Sequence, residues 1–414
     1  MKILILVLSV ILTIHAADAQ LLNRIKSRLQ QKANDAVDKT VDKAVDKTID
    51  KATEKPGSGI TKNTGTSSGT AETPSWRTYS KYDFIPGEKI IAYEDFSRAS
   101  IGDFPANWNT NASGEVMTVE NKPGKWLNTS QEGFYIPLAI QTLPDNFTLE
   151  YDVIFIPPAS SNGPNTAGFG FQVANVDFKK NNFINRTAYA QFLISPYRGY
   201  FQFESYKKDG DKVLESETKV MGLDRKKTHA YHVAVWRQKG RVRVYLDENK
   251  ICDLPVILPE TEHYNAIRFA TEMNNDGSKW LISEMKLAAG APDTRNKLVT
   301  EGKFSTTGIL FDVNAASIKE TSYGTLKQIA QVLQENTALN IRIVGHTDSD
   351  GDKTANLALS RKRADAVKSA LVKEFGISEI RMQTDGKGST QPVSPNTTNE
   401  GKANNRRVEF IAVR

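Results

Sequence analysis

Between Ile341 and Val367 the chain reads IRIVGHTDSDGDKTANLALSRKRADAV, a stretch that admits few folds. Ile341, Ile343 and Val344-Gly345 carry the β-branched signal of a strand, and Asp348, Ser349, Asp350 and Gly351 are turn formers that stop it. An acid therefore leaves the carboxyl end of a strand. From about Thr354, Ser360, Ala364, Val367 and Leu371 recur at helical spacing. On that helix Asn356 and Arg363, seven apart, fall within ~20° of each other, and Arg363 lies roughly 70° from the centre of the apolar stripe, at the rim of the buried seam. Asp348 can accept from an ammonium, and Arg363 can hold a carboxylate through two parallel N–H···O bonds. The ligand that suits both is a zwitterion. An arbitrary Asp and Arg would be read as solvated charges or an ordinary ion pair, so the weight of the pair rests on its surroundings.

Those surroundings are specific. Gly345-His346-Thr347-Asp348, Gly351, Asn356, Leu359-Ser360, Arg363-Ala364 and Val367 together resemble the signature of the OmpA-like C-terminal domain. Ile309 to Asn314 with Ile318 resembles that family's opening strand. Asn396-Thr397-Thr398, Gly401 and Asn405 to Phe410 resemble its closing loop and last strand. Lys402 departs from the arginine more usual after the glycine. The resemblance covers roughly residues 300 to 414 and implies non-covalent binding of the diaminopimelate in the peptide stem of peptidoglycan. It implies that Asp348 holds the ammonium and Arg363 the carboxylate, with Asp312, Thr347, Asn356, Leu359 and Arg407 nearby. Read structurally, Leu359 packs, Asn356 caps or supports the loop and Arg407 braces Asp348.

The chain opens MKILILVLSVILTIHAADAQ, an apolar run too short to span a bilayer, followed by Ala17 and Ala19. Residues 1–19 therefore read as a secretory signal peptide, with no following cysteine to carry a lipid. Over 20–55, Val37-Asp38-Lys39 recurs as Val41-Asp42-Lys43, Val45-Asp46-Lys47 and Ile49-Asp50-Lys51. Each four-residue step turns a helix by ~400°, so the apolar stripe winds around the rod and no heptad seam forms. One charged amphipathic helix is expected there, serving as a spacer, a weak helix partner or nothing specific. Gly57, Gly59, Gly65 and Gly69 among Ser and Thr make 56–75 a flexible linker by composition.

From 76 to 292 the pattern is short alternating runs: Phe147 to Phe155, Gly168 to Val173, Ala190 to Ile194, Tyr200 to Tyr206, His232 to Arg237, Arg241 to Leu246 and Trp280 to Leu287. Runs of this size predict an antiparallel β-sandwich. The hairpin from Tyr231 to Asp247 resembles the back strands of concanavalin-A-like, laminin-G-like jelly rolls. Glu150 and Asp152 share one face of a strand, as glycosidase carboxylates do, but a third acid is missing and the solvent side of a half-buried strand is the simpler reading. His229, His232 and His263 lack partners at metal spacing. Trp108, Trp126 and Tyr264, in loop-like sequence, suit sugar stacking or core packing equally, and Asn274 to Gly277 offers calcium no specific spacing. Cys252 is the only cysteine, so no internal disulfide can form, and it reads as a small apolar side chain.

The last domain predicts strand (303–311), helix (320–336), strand (339–347), helix (354–375), strand (380–386) and strand (406–413), a two-layer α/β sheet with helices on one face. The expected chain is thus multidomain: N-terminal helix, β-sandwich (jelly roll) and OmpA-like α/β domain over 296–414. A net charge of +6 spread over 414 residues gives no basic stripe for nucleic acid. We expect an exported, non-catalytic protein without metal or cofactor that ties the outer-membrane side of a Gram-negative envelope to peptidoglycan, periplasmic or peripherally attached. Outer-membrane proteins or glycans are candidate partners of the sandwich. The rival expectation is a glycan-active enzyme or adhesin whose sandwich carries the activity and whose last domain only localises it.

Overall fold

The computed structural model describes residues 83–158, 168–178, 188–220, 222–272, 277–290 and 296–413. The expected signal peptide (1–19), charged helix (20–55) and linker (56–75), and the candidate calcium loop up to Asp276, lie outside the described residues.

Alternating sequence yields strands: β1 (Lys89–Glu94), β2 (Trp108–Thr110), β3 (Glu115–Val119), β4 (Lys122–Asn128), β5 (Gly133–Pro137), β6 (Asn146–Ile156), β7 (Gly168–Ala174) and β8 (Tyr189–Ser195). They continue as β9 (Tyr200–Tyr206), β10 (Lys212–Lys219), β11 (His229–Gln238), β12 (Arg241–Leu246), β13 (Asn249–Leu254), β14 (Ala266–Glu272) and β15 (Lys279–Ala289). One antiparallel sheet runs β13-β12-β11-β6-β15-β4-β3 with β1 also paired to β15, and the other runs β10-β9-β8-β7-β14-β5-β2. Leu149, Tyr151 and Val153 of β6 point inward between the sheets and meet Phe169, Phe171, Phe192 and Phe269. Tyr151 stands edge-on to Phe269 at 5.0 Å, the geometry that suits two aromatic quadrupoles. Cys252 is buried here as a packing residue, its thiol pushed up to about 12 by burial.

Two sequence readings change. Trp108, Trp126 and Tyr264 are 4%, 5% and 2% exposed, so all three are packed and none is a free stacking platform. Glu150 does face outward from the core, as alternation demands, yet it is not solvated. It is enclosed in an ion cluster: Lys286 Nζ lies 2.8 Å from Glu150 Oε1, His232 Nε2 lies 3.4 Å from Glu150 Oε2, and His232 Nδ1 lies 2.7 Å from Asp152 Oδ1.

The last domain comprises β16 (Lys303–Thr306), helix α1 (Tyr323–Glu335), β17 (Asn340–His346), α2 (Lys353–Phe375), β18 (Met382–Gly388), a short α3 (Asn399–Asn405) and β19 (Val408–Val413). The sheet order is β16-β19-β17-β18, with β17 and β18 parallel. Leu326, Ile329 and Leu333 of α1 and Ala364, Val367 and Leu371 of α2 bury one face of it against Ile341, Ile343, Val408 and Phe410. The first strand is shorter than the sequence suggested, ending at Thr306, and Phe311 pairs locally with Ile318. Helix α2 can lie close on the sheet because the strand beneath lacks side chains at the crossing. A Cβ on Gly345 would stand 2.1 Å from the Ser360 carbonyl oxygen, and one on Gly386 would stand 2.5 Å from the Arg361 nitrogen. Ser360 Oγ accepts from Gly388 N at 2.9 Å and ties helix to strand end.

Two predictions follow from this packing. Burial opposes a charged His232, but Asp152 and Glu150 overcome it and push its pKa up to about 9 from 6.5. Burial likewise opposes a charged Glu150, but Lys286 and then His232 bring it down to about 2 from 4.5. His232 therefore stabilises fully below pH 6.5 and less as pH rises through about 9, whereas Glu150 stabilises above pH 4.5 and less as pH falls through about 2. The melting temperature should fall as pH is raised from 6.5 past 9, and His232→Gln should flatten that part of the profile; an unaltered slope in the variant contradicts the cluster. Gly345→Ala should lower stability by about 1–3 kcal/mol in denaturant unfolding, the scale of forcing an extra methyl into a packed interior. No loss would mean that the helix does not sit this close.

Candidate functional site

At the carboxyl end of β17 the chain turns sharply and enters α2. Asp352 caps the helix, its Oδ1 accepting from Ala355 N at 2.8 Å. Asp348 Oδ1 accepts from Asp350 N at 3.0 Å, a local bond that fixes the carboxylate within its own turn. Thr347 Oγ1 donates to the Asp348 carbonyl at 2.8 Å, and Asn356 Nδ2 donates to the Asp350 carbonyl at 2.8 Å. Thr347 and Asn356 thus brace the turn that presents the acid.

The other Asp348 oxygen is already partnered. Arg406 Nη1 donates to Asp348 Oδ2 at 2.6 Å. The sequence reading assigned any bracing role to Arg407, and the structure corrects it. Arg407 is 6% exposed and turns the opposite way, its Nε and Nη2 donating to Glu409 Oε1 at 3.0 and 2.8 Å. Burial would raise Glu409, but His346, Lys303 and Arg407 hold it well below the usual carboxylate range, so Arg407 belongs to a structural ion cluster. Neighbouring side chains on an extended chain point to opposite sides. Arg406 closes α3 as its C-cap and faces the turn, while Arg407 enters the strand side.

Arg363 emerges half-buried from α2, as its helical phase predicted. Its Nε donates to the Ala315 carbonyl at 2.9 Å, its Nη2 approaches the Asp312 carbonyl at 3.4 Å, and the guanidinium lies 4.9 Å from the Phe311 ring. Asp312 therefore serves this arginine through its main chain, and its exposed side chain stays at the rim. Among the described residues no ion pair joins Asp348 to Arg363. They nevertheless share one electrostatic neighbourhood: burial and then the like charge of Arg406 lower the Arg363 pKa, and Asp348 acts in the opposite sense. For Arg406, burial would lower the pKa, but Tyr93, Asp348 and Glu284 hold it above the ordinary value. The site is one buried acid with two guanidinium groups around it.

Sequence reasoning missed Arg406, Asn405 and Tyr93. Asn405 is fully buried and acts as a splint: Oδ1 accepts from Val393 N at 2.8 Å and Ser394 N at 3.1 Å, and Nδ2 donates to Asn396 Oδ1 at 2.9 Å. Asn396 Oδ1 also accepts from Ser349 N at 3.2 Å, which carries the splint to the residue after Asp348. The run Asn404-Asn405-Arg406-Arg407 held this signal, since buried asparagines mark a loop whose backbone needs side-chain partners. A hollow of about 540 Å³, lined by Val299, Glu335, Leu339 and Val413 among others, lies at the opposite end of β17. It offers a carboxylate but no cation to a zwitterion.

The model of the OmpA family matches residues 310–406. The probable lipoprotein YiaD of Escherichia coli K12 is 42% identical over 102 residues, 25% of this chain and 46% of that protein. Outer membrane porin F of Pseudomonas aeruginosa is 40% identical over 101 residues, 24% of this chain and 29% of that protein. The chain thus spans less than half the length of these two relatives. Among solved structures, the peptidoglycan-associated lipoprotein of Burkholderia pseudomallei is 29% identical, covering 29% of this chain and 98% of that chain with a TM-score of 0.25. Residues 310–406 of this chain form an OmpA family domain.

Proposed function

We propose that the C-terminal domain, taken as 296–414, binds peptidoglycan non-covalently through the diaminopimelate of its stem peptide. The observation that carries this reading is a nearly buried carboxylate, Asp348, with the half-buried guanidinium of Arg363 in the same electrostatic neighbourhood. The free end of diaminopimelate bears an ammonium and a carboxylate on one carbon, the charge pair that such a site complements. Asp348 takes the ammonium and Arg363 the carboxylate, with Thr347 and Asn356 holding the turn and Asp312 holding the arginine. Membership of residues 310–406 in the OmpA family supports the reading, as does the outer-membrane or lipoprotein description carried by YiaD and porin F.

On this reading the protein works as a tether in the bacterial envelope, exported by the leader at 1–19, with the linker at 56–75 giving reach. No helix among the described residues is long and apolar enough to cross a membrane. The sandwich, which we read as a jelly roll, is a second binding module. Its Glu150 is enclosed by Lys286 and His232 and held ionised, a poor arrangement for donating a proton to a glycosidic oxygen. The non-catalytic reading is therefore preferred over the glycosidase one.

Sedimentation with purified peptidoglycan tests the tether. Asp348→Asn and Arg363→Ala should each lose about 1.5–3 kcal/mol, the worth of one hydrogen bond to a charged group, or roughly ten- to hundredfold in affinity. Retained binding in both folded variants would refute the site.

A further inference from the structure

The guanidinium paired with the acid of the proposed site is touched from outside its own domain. Edge strand β1 of the sandwich docks on α3: Ile90 N donates to Asn404 Oδ1 at 3.0 Å, and Asn404 Nδ2 donates to the Ile90 carbonyl at 2.9 Å. One side-chain amide thus stands in for a neighbouring strand, satisfying an edge that would otherwise be open. Ala403 packs with Ile90, Ala288 and Tyr93 beside it, and Arg98 Nη2 donates to the Thr397 carbonyl at 2.8 Å. Within this seam the Tyr93 ring lies 5.5 Å from the Arg406 guanidinium, the group that occupies Asp348. Tyr93 is itself pinned, its hydroxyl donating to Glu284 Oε2 at 2.6 Å. Glu284 adopts a positive φ of 54° at the bulge where β15 shifts register against β6. That conformation is costly for a residue with a Cβ, and its effect is to aim a carboxylate at Tyr93.

We propose that Tyr93, a sandwich residue, is a positioning residue of the cell-wall site: it holds Arg406 on Asp348, so the ligand ammonium and the docked sandwich compete for one carboxylate. This rests on the reading of Asp348 given above. A ligand cation takes the Asp348 oxygen from Arg406, and the freed guanidinium no longer anchors Tyr93. Binding and docking are then coupled, and the coupling is reciprocal: loosening the sandwich tightens the ligand, and the ligand loosens the sandwich. The OmpA family match covers residues 310–406, so Asn404, Arg406 and Asp348 lie within it and Tyr93 lies outside it.

The test is calorimetric titration of the full chain with a muramyl tripeptide ending in diaminopimelate. Tyr93→Ala should bind roughly three- to tenfold more tightly than the unaltered chain, the scale of one cation–ring contact. Asn404→Ala, which frees β1 without touching Asp348 or Arg406, should act in the same direction, and Tyr93→Phe, which keeps the ring, should change affinity less. In the unaltered chain, saturating tripeptide should speed hydrogen exchange at the Ile90 amide, a readout that a purely structural Tyr93 would not move. Equal affinity in all chains with unaltered exchange overturns the coupling and leaves the site standing, and weaker binding by Tyr93→Ala overturns it as well. Absence of binding by every chain, Tyr93→Ala included, overturns the site and the coupling together.

Discussion

A carboxylate whose side chain is only 11% exposed needs a cation and hydrogen-bond donors, because desolvating an unpaired charge is costly. Asp348 meets that requirement with the Asp350 N–H of its own turn and the guanidinium of Arg406. Much of the C-terminal domain can be understood as the support of this arrangement. Gly345 lets α2 close on the strand that delivers the acid, Asp352 starts the helix, Asn405 splints the loop opposite, and α3 ends where Arg406 can reach across. The acid is therefore presented in a fixed place by the turn that carries it.

The sandwich bears on this arrangement at one seam. Its interior is aromatic, its outward face carries a buried ion cluster around Glu150, and its edge strand β1 meets α3 through the Asn404 amide and the packing of Ala403 on Ile90. Edge strands are normally blunted or covered, and here the cover is the domain that bears the site. Tyr93 touches both sides of this seam, Glu284 within the sandwich and Arg406 beside Asp348.

The strand, turn and helix around Asp348 were legible because their periodicities differ, 2 against 3.6, and because the turn residues separate them. The rim position of Arg363 followed from its helical phase alone. Arg406 was not legible, since choosing between adjacent arginines requires knowing where the short α3 stops and β19 begins. Tyr93 was beyond reach for a different reason: its partner lies in another domain, and no local pattern encodes a contact so distant in sequence. Trp108, Trp126 and Tyr264 left stacking and packing open because neighbouring Pro, Asn and Gly report the backbone and say nothing of what packs over the ring; burial decides for packing. Glu150 was placed on the correct face, yet alternation does not tell what covers that face.

The most direct measurement is a crystal structure of the full chain soaked with a diaminopimelate-containing stem peptide. The account predicts the ammonium on an Asp348 oxygen, the carboxylate on the Arg363 guanidinium, and Arg406 moved off Asp348 with the Tyr93 contact lengthened. A peptide bound elsewhere, or bound here with its charges reversed or away from these two residues, would contradict it.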